Sequence, residues 1–195
     1  MRRIVFATNN DHKLYEIKKA LNEKFEVVSL KEIGFNSEIP EDYETLQENA
    51  HQKAETVLDF LGEKFKGLVF ADDTGLEVDA LDGRPGVYSA RYAGINCSFQ
   101  DNVDKMLEEM TGIENRNAQF RTVIALVNHS SSNYFEGIVK GEILNSSQGN
   151  EGFGYDPIFS PNGFNESFAE MSIEAKNLIS HRGMAVQKVV DFLIR

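Results

Sequence analysis

The apolar run Gly67-Leu68-Val69-Phe70-Ala71 passes without a break into two adjacent carboxylates, Asp72 and Asp73. A short apolar run of this kind reads as a buried strand. Neighbouring residues at its end point to opposite sides of the backbone. Two carboxylates that close are unfavourable unless a cation or hydrogen-bond donors compensate them. Mg²⁺ is the obvious compensator, and a carboxylate beside it can orient or deprotonate a water. A turn-forming aspartate pair is the plainer alternative.

The elements around this pair follow from the spacing of apolar residues. Ile4–Ala7 reads as a second short buried strand. Asn10 or Asp11 can cap a helix whose stripe is Leu14, Ile17 and Leu21. Phe25–Leu30 predicts a strand, and residues 31–43, polar and acidic around Pro40, predict a loop. The stripe Leu46, Ala50, Ala54, Val57 and Leu61 predicts a helix from about Glu44 to Leu61. Thr74–Ala93 is rich in glycine and in Asp-Gly and Pro-Gly turns. A helix is expected near Phe99–Met110. Phe120–Val127 and Tyr134–Ile143 predict an antiparallel hairpin with a longer loop over Asn128–Asn133. Val186, Val189, Val190 and Leu193 predict a closing helix over His181–Ile194. Helices and strands alternate early and a strand pair comes late, so the class is α/β or α+β around a mixed sheet.

Charge and cysteine content narrow the function. The 195 residues carry 20 Lys and Arg against 31 Asp and Glu, a formal net charge of −11. Such a body repels a phosphate backbone and an anionic bilayer, so polymeric nucleic acid and membrane surfaces are not expected partners. The single cysteine, Cys97, excludes an intrachain disulfide and a cysteine-based zinc site. The apolar stretch Ile4–Ala7 is too short for a signal-peptide core. A cytoplasmic protein is the expectation.

Five segments could carry chemistry. Thr8-Asn9-Asn10-Asp11-His12-Lys13 lies between a strand and a helix, where free N–H groups and the helix dipole suit an anion. A capped helix with an exposed lysine would look the same. Lys53 borders the stripe of the second helix and either snorkels to solvent or turns inward. Ahead of that helix, Glu38, Glu41, Asp42 and Glu44 could hold a divalent cation or form a solvated acidic loop. The third segment is Asp72-Asp73 with Thr74 and Gly75. In the fourth, Gly152-Phe153-Gly154-Tyr155-Asp156-Pro157, two aromatic faces stand among glycines beside a carboxylate that could bind a purine ring. In the fifth, Lys176 and Ser180-His181-Arg182-Gly183 gather cations near a helix N-terminus, where the dipole disfavours them. Together the segments suit a metal-assisted phosphoryl or nucleotidyl hydrolase.

The same segments resemble the inosine triphosphate pyrophosphatase family, the house-cleaning enzymes for non-canonical purine nucleotides. The matching stretches are Thr8-Asn9-Asn10 with Lys13, Glu48-Asn49-Ala50 with Lys53 and Ala54, and Ala71–Leu81 continuing through Gly83–Tyr92. Gly152–Phe159 and Ser180–Gly183 complete the set. They span nearly the whole chain. The resemblance implies hydrolysis of dITP, ITP or XTP to the monophosphate and pyrophosphate with Mg²⁺. It implies a single domain over residues 1–195: an elongated mixed α/β sheet with flanking helices and two lobes with an active-site cleft between them, usually in a homodimer. By motif position it makes Asp73 the proton acceptor and a metal ligand, with Glu41 as the second acidic group at the metal. It assigns Thr8, Asn9, Asn10, Lys13, Lys53 and Thr74 to the triphosphate, and Phe153, Gly154, Tyr155 and Asp156 to the base. Lys176, His181 and Arg182 would read the 6-oxo edge. A hydrolase of modified pyrimidine triphosphates and a non-catalytic nucleotide-binding module are the other readings.

Overall fold

The structure, a computed structural model, describes residues 2–21 and 25–194. Strand β1 (Arg2–Phe6) is followed by helix α1 (Asp11–Leu21) and strand β2 (Phe25–Val28). β1 and β2 are parallel, with Ile4 opposite Val27, and α1 supplies the crossover that parallel neighbours require. The side chain of Asn10 starts α1 by accepting the N–H of Lys13 at 3.1 Å. Helix α2 (Leu46–Leu61) is capped by Thr45, whose hydroxyl accepts the N–H of Glu48 at 3.2 Å. It returns the chain to β3 (Leu68–Val78), parallel to β1 with Phe70 opposite Phe6.

Strand β4 (Pro85–Gly86) pairs antiparallel with β3 and precedes helix α3 (Phe99–Glu109). The chain continues through β5 (Asn117–Asn128), β6 (Ser131–Ile143), β7 (Phe159–Pro161), α4 (Ile173–Ile179) and α5 (His181–Leu193). Among the described residues the strands form one mixed seven-stranded sheet of order β2-β1-β3-β5-β6-β7, with β4 beside β3. The alternation left α/β or α+β open around a mixed sheet, and this is the mixed α/β sheet with flanking helices that the resemblance implied. Among the described residues, no helix is long and apolar enough to cross a membrane.

Two expectations change. β3 does not end at the aspartate pair but runs on to Val78, because Leu76 and Val78 bury their side chains beyond it. Gly75 permits this: a Cβ there would stand 2.6 Å from the carbonyl oxygen of Gly86 and push β4 away. The expected loop over Asn128–Asn133 shrinks to His129 and Ser130. The Asn128 side-chain oxygen accepts the N–H groups of Ser130 and Ser131, at 2.8 and 3.0 Å, and closes the turn locally.

The chain partitions into two compact units. The first comprises Met1–Asp73, Thr122–Gly137 and Arg182–Arg195; the second comprises Thr74–Arg121 and Ile138–His181. In the first unit, strand alternation builds two apolar layers. Ile4 and Phe6 of β1 join Phe70 of β3, Ile17 and Leu21 of α1, and Val186 and Val189 of α5. Val5, with Ala7 just past the strand, joins Val69, Ala71 and the Ala50, Ala54 and Val57 face of α2. Each large side chain so buried contributes about 1.5–3 kcal/mol.

In the second unit, Tyr92 is buried against α3. Its hydroxyl donates to Glu109 at 2.6 Å, and the Lys105 ammonium lies 4.4 Å from the centre of its ring. Burial, reinforced by the bond and charge of Glu109, pushes its phenol up to about 12. A folded-state value raised above the ordinary one, about 10, gives stability that is complete below about pH 10 and is lost as pH rises toward about 12. Tyr92→Phe should therefore lose less stability than the parent between about pH 8 and about pH 11.5, as read from urea midpoints. Equal losses would show that Tyr92 is not the group titrating.

Candidate active site

The two layers of the first unit decide where the aspartates go. Asp72 shares its face with Phe70 and meets α1 and α5; Asp73 shares its face with Ala71 and meets α2. The Asp72 carboxylate receives Lys13 Nζ at 3.1 Å and both Nε and Nη2 of Arg182 at 3.2 Å. The third nitrogen of the guanidinium, Nη1, is held by Glu16 of α1. Burial pushes Asp72 up, but Lys13, Arg182 and Lys53 together outweigh it and hold the carboxyl well below the carboxylate range. Burial pulls the Lys13 ammonium down more than Asp72 restores it.

On the α2 face, Lys53 Nζ donates to Asp73 Oδ1 at 2.8 Å and to Glu41 Oε1 at 2.7 Å. The Asn49 amide approaches the other Asp73 oxygen at 3.4 Å. Lys53, on the border of an apolar stripe, has turned inward and is 5% exposed. Burial disfavours its charge, but Asp73, Glu41 and Asp72 outweigh that and hold the ammonium above its ordinary value. Burial also pushes the Asp73 carboxyl up, which Lys53 and Lys13 only partly oppose. Of the acidic set before α2, Glu41 is the member at Lys53. Asp42 accepts from the Gln52 amide at 2.7 Å in solvent, and Glu38 and Glu44 are exposed.

Among the described residues, no group of three or more His, Cys, Asp or Glu is placed to hold a metal ion by itself. Two hard oxygen donors, from Glu41 and Asp73, nevertheless converge on one cationic centre, the Lys53 ammonium. Mg²⁺ keeps several waters and takes one or two protein carboxylates together with substrate phosphates, so this donor set fits it. The Thr8–Lys13 turn lies just before and in the first turn of α1. Thr8 Oγ1 accepts the Asn10 N–H at 3.2 Å, while Asn9 is exposed, its amide 3.4 Å from the Ser37 carbonyl.

The second unit holds Thr74 and the aromatic set. At Gly152, with φ of 74°, a Cβ would stand 2.1 Å from Asp156 Oδ2, so glycine lets that carboxylate fold back to accept the Phe153 N–H at 2.8 Å. Gly154 also has a positive φ, 62°. The same Asp156 oxygen receives Lys176 Nζ at 2.6 Å, both side chains buried. The Lys176 ammonium lies 5.3 Å from the Phe153 ring centre and 5.5 Å from that of Phe168. The Tyr155 hydroxyl donates to the Ser89 carbonyl at 2.8 Å, and His181 stacks on Phe120 with centroids 4.6 Å apart. Phe153 remains half-buried, a ring face with an ammonium near it that suits a flat heterocycle with a polar edge.

The predicted residues thus fall into two sets. Lys13, Glu41, Lys53, Asp73 and Arg182 belong to one unit, and Phe153, Gly154, Tyr155, Asp156, Lys176 and His181 to the other. Arg182, expected with Lys176 and His181, has its guanidinium held by Glu16 and Asp72. Glu16, Asn49, Phe120 and Phe168 were not foreseen. No sequence pattern marks Glu16, which precedes Ile17 and lies off the Leu14, Ile17 and Leu21 stripe of α1.

The model of the Ham1 family matches residues 4–192. The chain is 50% identical over 195 residues to a dITP/XTP pyrophosphatase of Porphyromonas gingivalis, covering 100% of this chain and 98% of that protein. Among solved structures it is similar to the Ham1 protein of Staphylococcus aureus, with TM-score 0.85 and 38% identity over 98% of both chains. A HAM1 protein from Coxiella burnetii superposes with TM-score 0.86 at 34% identity, covering 100% of this chain and 99% of that one.

Proposed function

The chain belongs to the Ham1 family, and from that membership we propose that it hydrolyses the non-canonical purine nucleotides dITP, ITP and XTP to the monophosphate and pyrophosphate. The observation that carries the reading is the buried Asp73 carboxylate, held between the Lys53 ammonium and the Asn49 amide, with Glu41 on the same ammonium. It unites a candidate proton acceptor, a phosphate-seeking cation and a second oxygen donor at one place.

Asp73 accepts the proton of the attacking water, its burial bringing the carboxyl closer to the pH at which a base works. Glu41 and Asp73 would hold Mg²⁺, which when bound neutralises phosphate charge and acidifies water. Thr8, Asn9, Asn10, Lys13, Lys53 and Thr74 hold the triphosphate. Phe153, Gly154, Tyr155 and Asp156 take the base, and Lys176 and His181 read its oxygen-bearing edge, whereas the Arg182 guanidinium is engaged by Asp72 and Glu16. A 6-oxo group accepts hydrogen bonds where the adenine amino group donates, so adenine would leave buried donors unpaired. The acidic body disfavours nucleic acid, while a metal-bound triphosphate meets few, placed cations. The whole chain acts as one catalytic domain, in a cytoplasmic homodimer.

A panel of dITP, XTP, dGTP, dATP and dUTP with Mg²⁺ tests the reading. The expected kcat/KM for dITP and XTP exceeds that for dATP by at least about 10²-fold. Equal turnover of dATP, or preference for dUTP in the same panel, would overturn it.

A further inference from the structure

We propose that Lys53 keeps the Glu41–Asp73 pair closed to a metal ion until a triphosphate draws its ammonium away, so that metal and nucleotide bind as one cooperative event. This rests on the proposed function and adds an order of binding and a second task for the lysine. The Lys53 Nζ lies 2.7 Å from a Glu41 oxygen and 2.8 Å from an Asp73 oxygen. That is the place between two carboxylates that a bridging cation needs, and an ammonium and a metal ion cannot share it. The backbone beneath is fixed: Ala50, Ala54 and Val57 of α2 are fully buried. Yielding the place therefore falls to the side chain, whose four-carbon stem can swing.

Charge sets the direction. Without nucleotide, a divalent ion entering this pair must drive the buried ammonium from both of its carboxylate partners, which is unfavourable in a water-poor place. Lys13 does not take over its role, because it is held by Asp72 on the opposite face of the strand. A triphosphate carries about four negative charges and offers the ammonium new anionic partners, while its own oxygens complete the metal's shell. Each ligand thus removes the obstacle to the other. Such coupling is reciprocal, with typical factors of about 5–150.

Mn²⁺ serves as the probe, its free concentration read by electron paramagnetic resonance in titrations of the full chain. Without nucleotide, Lys53→Met is expected to bind one Mn²⁺ at least about tenfold tighter than the parent. Adding Glu41→Gln to that variant should abolish the gain. Lys53→Gln serves as a second variant should the methionine protein melt too low, and is expected to tighten Mn²⁺ binding as well. The parent should gain a similar factor from a non-hydrolysable α,β-imido analogue of dITP. A nucleotide-free parent that binds Mn²⁺ as tightly as the Lys53 variants overturns the proposal. Tightening in the variants with no response of the parent to the analogue upholds the closure by Lys53 and overturns the nucleotide reading instead.

Discussion

Asp73→Asn is expected to cut turnover of dITP by about 10²–10⁴-fold, the range general-base catalysis supplies, with a smaller change in KM. Asparagine keeps the size of the side chain and one carbonyl oxygen for the Lys53 ammonium, now 2.8 Å from Asp73 Oδ1. It removes the group able to accept a proton and one of the two oxygen donors proposed for the metal. The fold should tolerate the change, since Lys53 retains Glu41 at 2.7 Å. Steady-state kinetics beside a thermal melt separates the outcomes. A fall in kcat at unchanged melting temperature supports the role of Asp73, whereas parental kcat would remove it from the chemistry.

The second large effect is on stability. Arg182 is 2% exposed and spans two carboxylates, Asp72 through two nitrogens and Glu16 through a third. Arg182→Met keeps an apolar stem but leaves both acids short of their shared partner. Removing one partner of a buried ion pair typically costs about 3–5 kcal/mol. At roughly 2–4 °C per kcal/mol for a chain of this size, the melting temperature should fall by about 10 °C. Arg182→Lys should recover only part of this, because one compact ammonium cannot reproduce a three-nitrogen fork. Combining Arg182→Met with Glu16→Gln should be less harmful than the two losses added, since one stranded charge is then removed. A melt within about 2 °C of the parent for Arg182→Met would mean that water reaches these acids and the pair stabilises little.

The placement of Asp72 and Asp73 was legible because it needs only the two-residue period of a strand. Once Phe70 faces one apolar layer and Ala71 the other, the carboxylates must part in the same way, one toward α1 and α5, the other toward α2. The stripes of α1, α2 and α5 were legible for the same kind of reason. The full length of β3 was not, because Gly75 reads as a turn residue and its purpose, the close approach of Gly86, is a tertiary fact. The short α4 and β7 carry too few residues to show a period. The hairpin turn was overestimated because Asn128, a loop signal in sequence, closes the turn from within a strand.

Among the site residues, Lys53 shows where pattern stops. Its place on the stripe border allowed either direction, and only Glu41, brought in from the loop before α2, decides for the interior. Arg182 was recognisable as a cation oddly placed at a helix N-terminus, and the structure gives the reason as two acids, Asp72 and Glu16, from separate elements. Glu16 itself is invisible to composition, where it is one acid among 31.

The most direct measurement is the identity of the products when the protein meets dITP and Mg²⁺. Anion-exchange separation of nucleotides, with separate assays for pyrophosphate and orthophosphate, should find dIMP and pyrophosphate in equal amounts. Release of dIDP with orthophosphate would contradict it.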